Sequence, residues 1–145
     1  MNSNIVLDSF ALLSFFHKEP GWERVKEVFY SLSSEKQQAI LSIINWGEFY
    51  YIVKRRVGKI KADETLALLE QLPVKILSVD DELVKEAADI KADFAVSYAD
   101  AFCIATARRS EAEILTNDPE FKLVEHLVKV KWIAGKRSQS RPKAE

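Results

Sequence analysis

The 145-residue chain has one cysteine, two histidines and four glycines. A single thiol excludes an internal disulfide and any metal site built on several thiolates, and Cys103 reads as a small core residue. His17 and His126 stand apart from any second ligand, so the pair gives no zinc pattern. With so few glycines there is no Gly-rich loop to cradle a nucleotide phosphate. No apolar run is long enough to span a bilayer. The N-terminus lacks the basic region of a signal peptide, and Asp8 interrupts the first apolar run, so the expected location is cytoplasmic. With 21 Lys and Arg against 22 Asp and Glu, the net charge is −1. Any surface for a polyanion must then be a local patch.

What is present is a regular alternation of element types. Short apolar runs at 4–7, 37–44, 74–79 and 113–116 read as strands, and 128–133 alternates as an edge strand does. Between them, 9–18, 22–34, 45–59, 62–72, 80–95 and 97–110 read as helices, with a short helix at 119–124. Strands alternating with helices predict one α/β domain over residues 1–133, a mainly parallel sheet with helices on both faces. Residues 134–145 have no periodicity and carry Lys136, Arg137, Arg141 and Lys143, the composition of a flexible basic tail.

Four acids fall at comparable places in this order. Asp8 follows the first strand, Glu48 lies near the start of the helix after the second, Asp100 near the start of the helix before the fourth, and Asp118 just after the fourth. Each has a capping explanation. Ser97-Tyr98-Ala99-Asp100 fits a capping box in which the Asp100 carboxylate reaches back to the Ser97 N–H. Asn45 and Glu48 could form a capping pair, Asp8 an N-cap, and Asp118 an N-cap followed by proline. In an open parallel sheet, however, strand ends and helix N-termini share one edge, and ligands bind where the strand order reverses. If the first and fourth strands are neighbours there, the four carboxylates converge and repel each other unless a cation joins them. An all-oxygen ligand set selects Mg²⁺ or Mn²⁺, and such sites activate water for attack on a phosphodiester.

VLDSFALL, INWGEFYY, SYADAFCIATA and ILTNDPEF, in that order, resemble the acidic motifs of PIN-domain nucleases, and the short chain is most similar to the VapC toxins of toxin–antitoxin pairs. The resemblance spans residues 4 to 133. It implies a three-layer α/β/α fold, Mg²⁺- or Mn²⁺-dependent cleavage of RNA, a small VapB-like antitoxin that blocks the site, and a homodimer. By that resemblance Asp8, Glu48, Asp100 and Asp118 are the catalytic metal ligands, while Ser9 and Thr116 match the hydroxyl residues that accompany the first and last acids. Phe10 departs from the family, where a small polar residue is frequent. Asp100 is then a metal ligand at a cap position, with Ser97 capping the helix through its own hydroxyl. Tyr98 and Phe102 are expected to pack.

Lys54, Arg55, Arg56, Lys59 and Lys61 form a basic run, readable either as favourable charge at a helix C-terminus or as a phosphate-binding patch. Helices 22–34 and 62–72 could form a groove for an antitoxin segment or simply pack on the core. Two other function classes compete: a non-catalytic PIN-like RNA-binding or scaffold protein, and a phosphotransfer protein on a similar sheet. A haloacid-dehalogenase phosphatase needs an acid at position 10, where Phe10 stands. A receiver domain places its phosphoacceptor after the third strand, where Asp80 and Asp81 do lie, but it also pairs acids near the first strand.

Overall fold

A computed structural model describes residues 4–32 and 37–133. The basic tail expected at 134–145 lies outside the described residues. Five strands, β1 (Asn4–Leu7), β2 (Ala39–Ser42), β3 (Val74–Leu77), β4 (Ala112–Thr116) and β5 (Val130–Trp132), form one sheet. Their order is β3-β2-β1-β4-β5, and every neighbouring pair is parallel. Helices α1 (Ser9–His17), α2 (Trp22–Ser31), α3 (Ile43–Leu69), α4 (Asp81–Asp93) and α5 (Tyr98–Arg109) connect them, with a short 3₁₀ helix, α6 (Pro119–Val124), after β4.

Two-residue alternation sorts the strand side chains into two cores. Ile5, Leu7, Ala39, Leu41 and Leu115 face α1, α2 and α3, where they meet Leu12, Val25 and Phe49. Val6, Ile40 and Ile114 face α4 and α5, where they meet Leu83, Phe102 and Ile104. The result is the three-layer α/β/α sandwich that the order of elements predicts. The central strand β1 is apolar on both faces because both are covered, as parallel sheets require. From β1 the chain first builds outward through β2 to β3. It then returns through α4 and α5 to add β4 on the other side of β1. The strand order therefore reverses between β1 and β4, where Leu7 pairs with Leu115. No helix among the described residues is long and apolar enough to cross a membrane.

Most element boundaries follow the sequence reading, but three differ. Ile43 and Ile44, expected in the second strand, already belong to α3, because the Ser42 hydroxyl accepts from the Ile44 N–H and caps the helix there. α2 ends at Ser31 with Leu32 as its C-cap, and positions 33 and 34, expected in the same helix, lie outside the described residues. The helices expected at 45–59 and 62–72 are both present and meet at Gly58, whose φ of 89° and ψ of 169° are non-helical, but the second ends at Leu69 instead of 72. Beyond the bend the chain folds back, so that Asp63 accepts hydrogen bonds from the Tyr50 hydroxyl (2.9 Å) and from Lys59 (2.6 Å).

That backbone conformation is reserved almost wholly for glycine. A Cβ at Gly58 would meet no atom within 4 Å, so the penalty of a side chain there is conformational and not steric. Gly58→Ala should therefore cost about 1–3 kcal/mol. Gly47→Ala, in a helical stretch where a Cβ also meets nothing within 4 Å, should instead stabilise the protein by roughly 0.5–1 kcal/mol. Urea melts of the two variants check this opposition of sign.

Candidate active site and metal centre

Asp8 leaves the end of β1 as the N-cap of α1. One carboxylate oxygen accepts the Ala11 N–H at 2.9 Å, and the other accepts the Thr116 hydroxyl. Asp118 leaves the end of β4 as the N-cap of α6, accepting the Glu120 N–H at 3.0 Å. Thr116 joins the two strand ends: its hydroxyl donates to Asp8 and accepts from the Asp118 N–H at 2.9 Å. Asp100 enters from the first turn of α5. Asp8, Asp100 and Asp118 are all buried, and each can present a ligand oxygen such that the three oxygens lie within 4.8 Å of one another.

The capping box expected at Ser97 is only half formed. Ser97 Oγ accepts the Asp100 N–H at 3.1 Å, as expected. The Ser97 N–H, however, is directed to Glu120 Oε1 at 3.4 Å instead of to Asp100. Glu120 thus takes over the return half of the box and also hydrogen-bonds to Asp100. Sequence reading missed Glu120, although its position two residues after Asp118 on a one-turn helix was a usable signal.

Glu48 does not join the trio. Because α3 begins at Ile43, Glu48 sits in the second turn, half-buried, and its Oε1 accepts the Ser9 hydroxyl. Its charge still reaches Asp8. Nor is it half of a capping pair with Asn45, since Ser42 is the cap. Asn45 is buried and donates through Nδ2 to the Ala99 carbonyl at 3.2 Å. Of the two aromatics beside Asp100, Phe102 is buried as expected, and Tyr98 packs against it with tilted rings 4.9 Å apart while remaining 46% exposed. Phe10 is exposed at the start of α1.

In the basic run, Arg56 pairs with Glu19 at 3.1 Å and contacts His17, and Lys59 pairs with Asp63. Arg55 lies over the Tyr51 ring at 5.0 Å, and Lys54, Arg55 and Lys61 are exposed. Part of the run therefore fixes the bend of α3. On another face, Phe15, Trp22, Phe29, Tyr30, Leu72 and Pro73 line an apolar cavity of about 470 Å³, with Lys18 and Lys26 at its rim over Trp22.

Burial of the acids has an electrostatic consequence. Desolvation pushes the Asp8 carboxyl up to about 7 against the hydrogen bonds from Thr116 and Ala11, with the charges of Asp118 and Glu48 adding to the rise. Asp100 is also held well above the usual carboxylate range, first by burial, then by its hydrogen bond with Glu120 and the charges of Asp118 and Asp8. The donors are carboxylate oxygens, which suits a hard divalent cation.

A family model described as the PIN domain matches residues 5–127. The chain belongs to the PIN domain family. Among solved structures, it is similar to VapBC2 from Rickettsia felis bound to a DNA fragment from its promoter. Identity there is 14% over 89% of this chain and 98% of that one, with a TM-score of 0.73. It is also similar to Mycobacterium tuberculosis VapC20, a toxin that cleaves the sarcin–ricin loop. That match has 19% identity over 81% and 92% of the two chains and a TM-score of 0.67. For FitAcB from Neisseria gonorrhoeae the identity is 24%, over 87% of this chain and 95% of that one, with a TM-score of 0.65. No curated protein matches the chain.

The raised carboxyls fix the sign of a stability effect. An acid whose pKa is higher folded than unfolded contributes stability at low pH, and that contribution is lost as pH rises through the folded value. Metal-free protein should thus melt at a lower temperature at about pH 8.5 than at about pH 6. Asp118→Asn keeps an acceptor for the Glu120 N–H while removing a charge, so it should raise the melting temperature in EDTA. A purely capping Asp118 gives the opposite sign, because the helix dipole interaction is weakened. Ser97→Ala, by contrast, should cost about 0.5–2 kcal/mol as a lost N-cap. Differential scanning calorimetry in EDTA separates these outcomes.

Proposed function

We propose that the protein is a divalent-metal-dependent endoribonuclease, the toxin of a toxin–antitoxin pair. The observation that carries the reading is the convergence of Asp8, Asp100 and Asp118, three buried carboxylates, at the point where the strand order reverses. Such a cluster is costly at neutral pH without a counter-charge. Asp8, Asp100 and Asp118 would hold Mg²⁺ or Mn²⁺, with Glu48 as the fourth acid beside them. Once bound, the cation supplies Lewis-acid stabilisation of phosphoryl charge and lowers the pKa of a water.

The other residues act on these. Thr116 holds Asp8 in place by donating to the oxygen that does not cap α1. Ser9 does the same for Glu48. Lys54 and Arg55, exposed on α3, are the residues of the basic run best placed to meet RNA phosphates. Arg56 and Lys59 would first have to leave Glu19 and Asp63. The apolar cavity beside α2, rimmed by Lys18 and Lys26, suits an apolar segment of a VapB-like antitoxin that carries acids of its own. A homodimer in the cytoplasm completes the reading, and light scattering of the purified protein tests the dimer.

RNA incubated with the protein and Mg²⁺ or Mn²⁺ should be cut to 5′-phosphate and 3′-hydroxyl ends, and EDTA should abolish the cleavage. Ends carrying a 2′,3′-cyclic phosphate would mean that the 2′-hydroxyl attacks, for which no His pair is present in the site. Asp100→Asn should reduce cleavage by more than the roughly 10–100-fold typical of an outer-sphere partner. Metal-dependent folding without any RNA cleavage would favour a non-catalytic RNA-binding relative.

A further inference from the structure

Next to the residue that precedes Asp100, a buried amide oxygen lacks a hydrogen-bond partner. Asn45 is 0% exposed and stands in the first turn of α3, three residues before Glu48 and on the same helix face. Its Nδ2 donates to the Ala99 carbonyl, the backbone oxygen just before Asp100. That bond fixes which end of the amide is which, because the reverse orientation would set oxygen against oxygen. Its Oδ1 then accepts no hydrogen bond. Among the described residues only one other buried side-chain atom shares this condition, Thr106 Oγ1. A hydroxyl inside a helix can turn to a carbonyl of the preceding turn. The Asn45 oxygen has no such freedom.

A buried acceptor without a donor costs stability, and its presence in a folded protein calls for a bound water or ion. The acids of the site are acceptors when ionised. Its hydroxyls, Ser9 and Thr116, already donate to Glu48 and Asp8. A hydrated cation brings the missing donor. Mg²⁺ dehydrates reluctantly and keeps several waters beside one or two carboxylates, and the protons of those waters need acceptors.

We propose that Asn45 is a positioning residue of the metal centre, its Oδ1 accepting a hydrogen bond from a water in the hydration shell of the cation. The proposal rests on the metal-dependent reading above. A neutral amide adds an acceptor without adding another charge to a crowded set of carboxylates. Through Nδ2 the same side chain ties the helix of Glu48 to the start of the helix of Asp100.

Calorimetric titration with Mn²⁺ at neutral pH tests the proposal on wild type, Asn45→Ala, Asn45→Asp and Asp118→Asn. Asn45→Ala should bind Mn²⁺ about 10–100-fold more weakly than wild type. Its melting temperature in EDTA should stay close to the wild-type value, because the unpartnered oxygen leaves together with the Ala99 bond. Asn45→Asp loses the same bond to Ala99 but keeps an acceptor oxygen, so it should bind at least as tightly as wild type. Equal weakening in Asn45→Ala and Asn45→Asp would make Asn45 a tether only, and unchanged binding in Asn45→Ala would remove it from the metal centre. Either result overturns the proposal while leaving the metal reading intact, provided wild type binds Mn²⁺ and Asp118→Asn binds it more weakly. Should wild type bind no Mn²⁺, the metal reading itself fails and this proposal falls with it. Asn45→Val, which fills more of the space, replaces Asn45→Ala if the latter does not fold.

Discussion

The Thr116 hydroxyl is the joint on which the site depends. It donates to Asp8 and accepts from the Asp118 backbone, linking residues 108 positions apart in sequence. The joint exists because β1 and β4 are parallel neighbours in a register that pairs Leu7 with Leu115. One residue later on each strand, the chain emerges at the same edge of the sheet. A register shift of one residue would turn Thr116 to the opposite face and exchange the two cores. The apolar alternation of Val6 and Leu7 against Ile114 and Leu115, buried on both faces, holds that register. Packing of the core thus sets the distance between the first and last acids, and the hydroxyl holds the final geometry.

Capping and clustering turn out to be compatible roles and not rival ones. A carboxylate has two oxygens, and Asp8 uses one on the α1 backbone and the other on Thr116. Helix N-termini carry partial positive charge, which eases the burial of an anion there. Asp8, Asp100 and Asp118 each stand at such a terminus, which helps three acids to approach one another. The relief is incomplete, since burial still pushes Asp8 up to about 7. Asp100 is the least occupied by capping: Ser97 supplies the cap oxygen and Glu120 takes the Ser97 N–H, so the Asp100 carboxylate is released from the box.

Much of this was legible in the sequence because the relevant signals are local. Strand-length apolar runs, helix-length periodic runs and the order of the two types predict a parallel sheet, and acids placed just beyond strand ends predict a shared edge. What was not legible depends on contacts between distant segments. The half-formed capping box needed Glu120 to arrive from α6. The withdrawal of Glu48 toward Ser9 needed α3 to start at Ile43, two residues earlier than the apolar run suggests. Gly58 was legible as the end of a helix, but the contacts of Asp63 with Tyr50 and Lys59, which hold the second half of α3 against the first, were not. The pairing of Arg56 with Glu19 likewise joins α3 to the turn between α1 and α2.

The electrostatics of the site bear on substrate binding as well as on chemistry. A phosphodiester is an anion, and the chain as a whole carries a charge of −1. Asp8, Asp100, Asp118 and the nearby Glu48 and Glu120 would, on the proposed reading, turn a phosphate away from the site if no cation were bound. On the proposed reading, a divalent ion reverses the sign of the potential at the sheet edge, so that one ion serves both to admit the phosphate and to stabilise its developing charge. Protons compete for the same carboxylates, because a metal ligand must be deprotonated. With Asp8 held near 7, that competition falls close to neutral pH. Metal affinity should then rise with pH over the range in which the metal-free fold loses stability. The burial and mutual repulsion of the acids, which weaken the metal-free fold, are in this sense also what a bound cation would relieve.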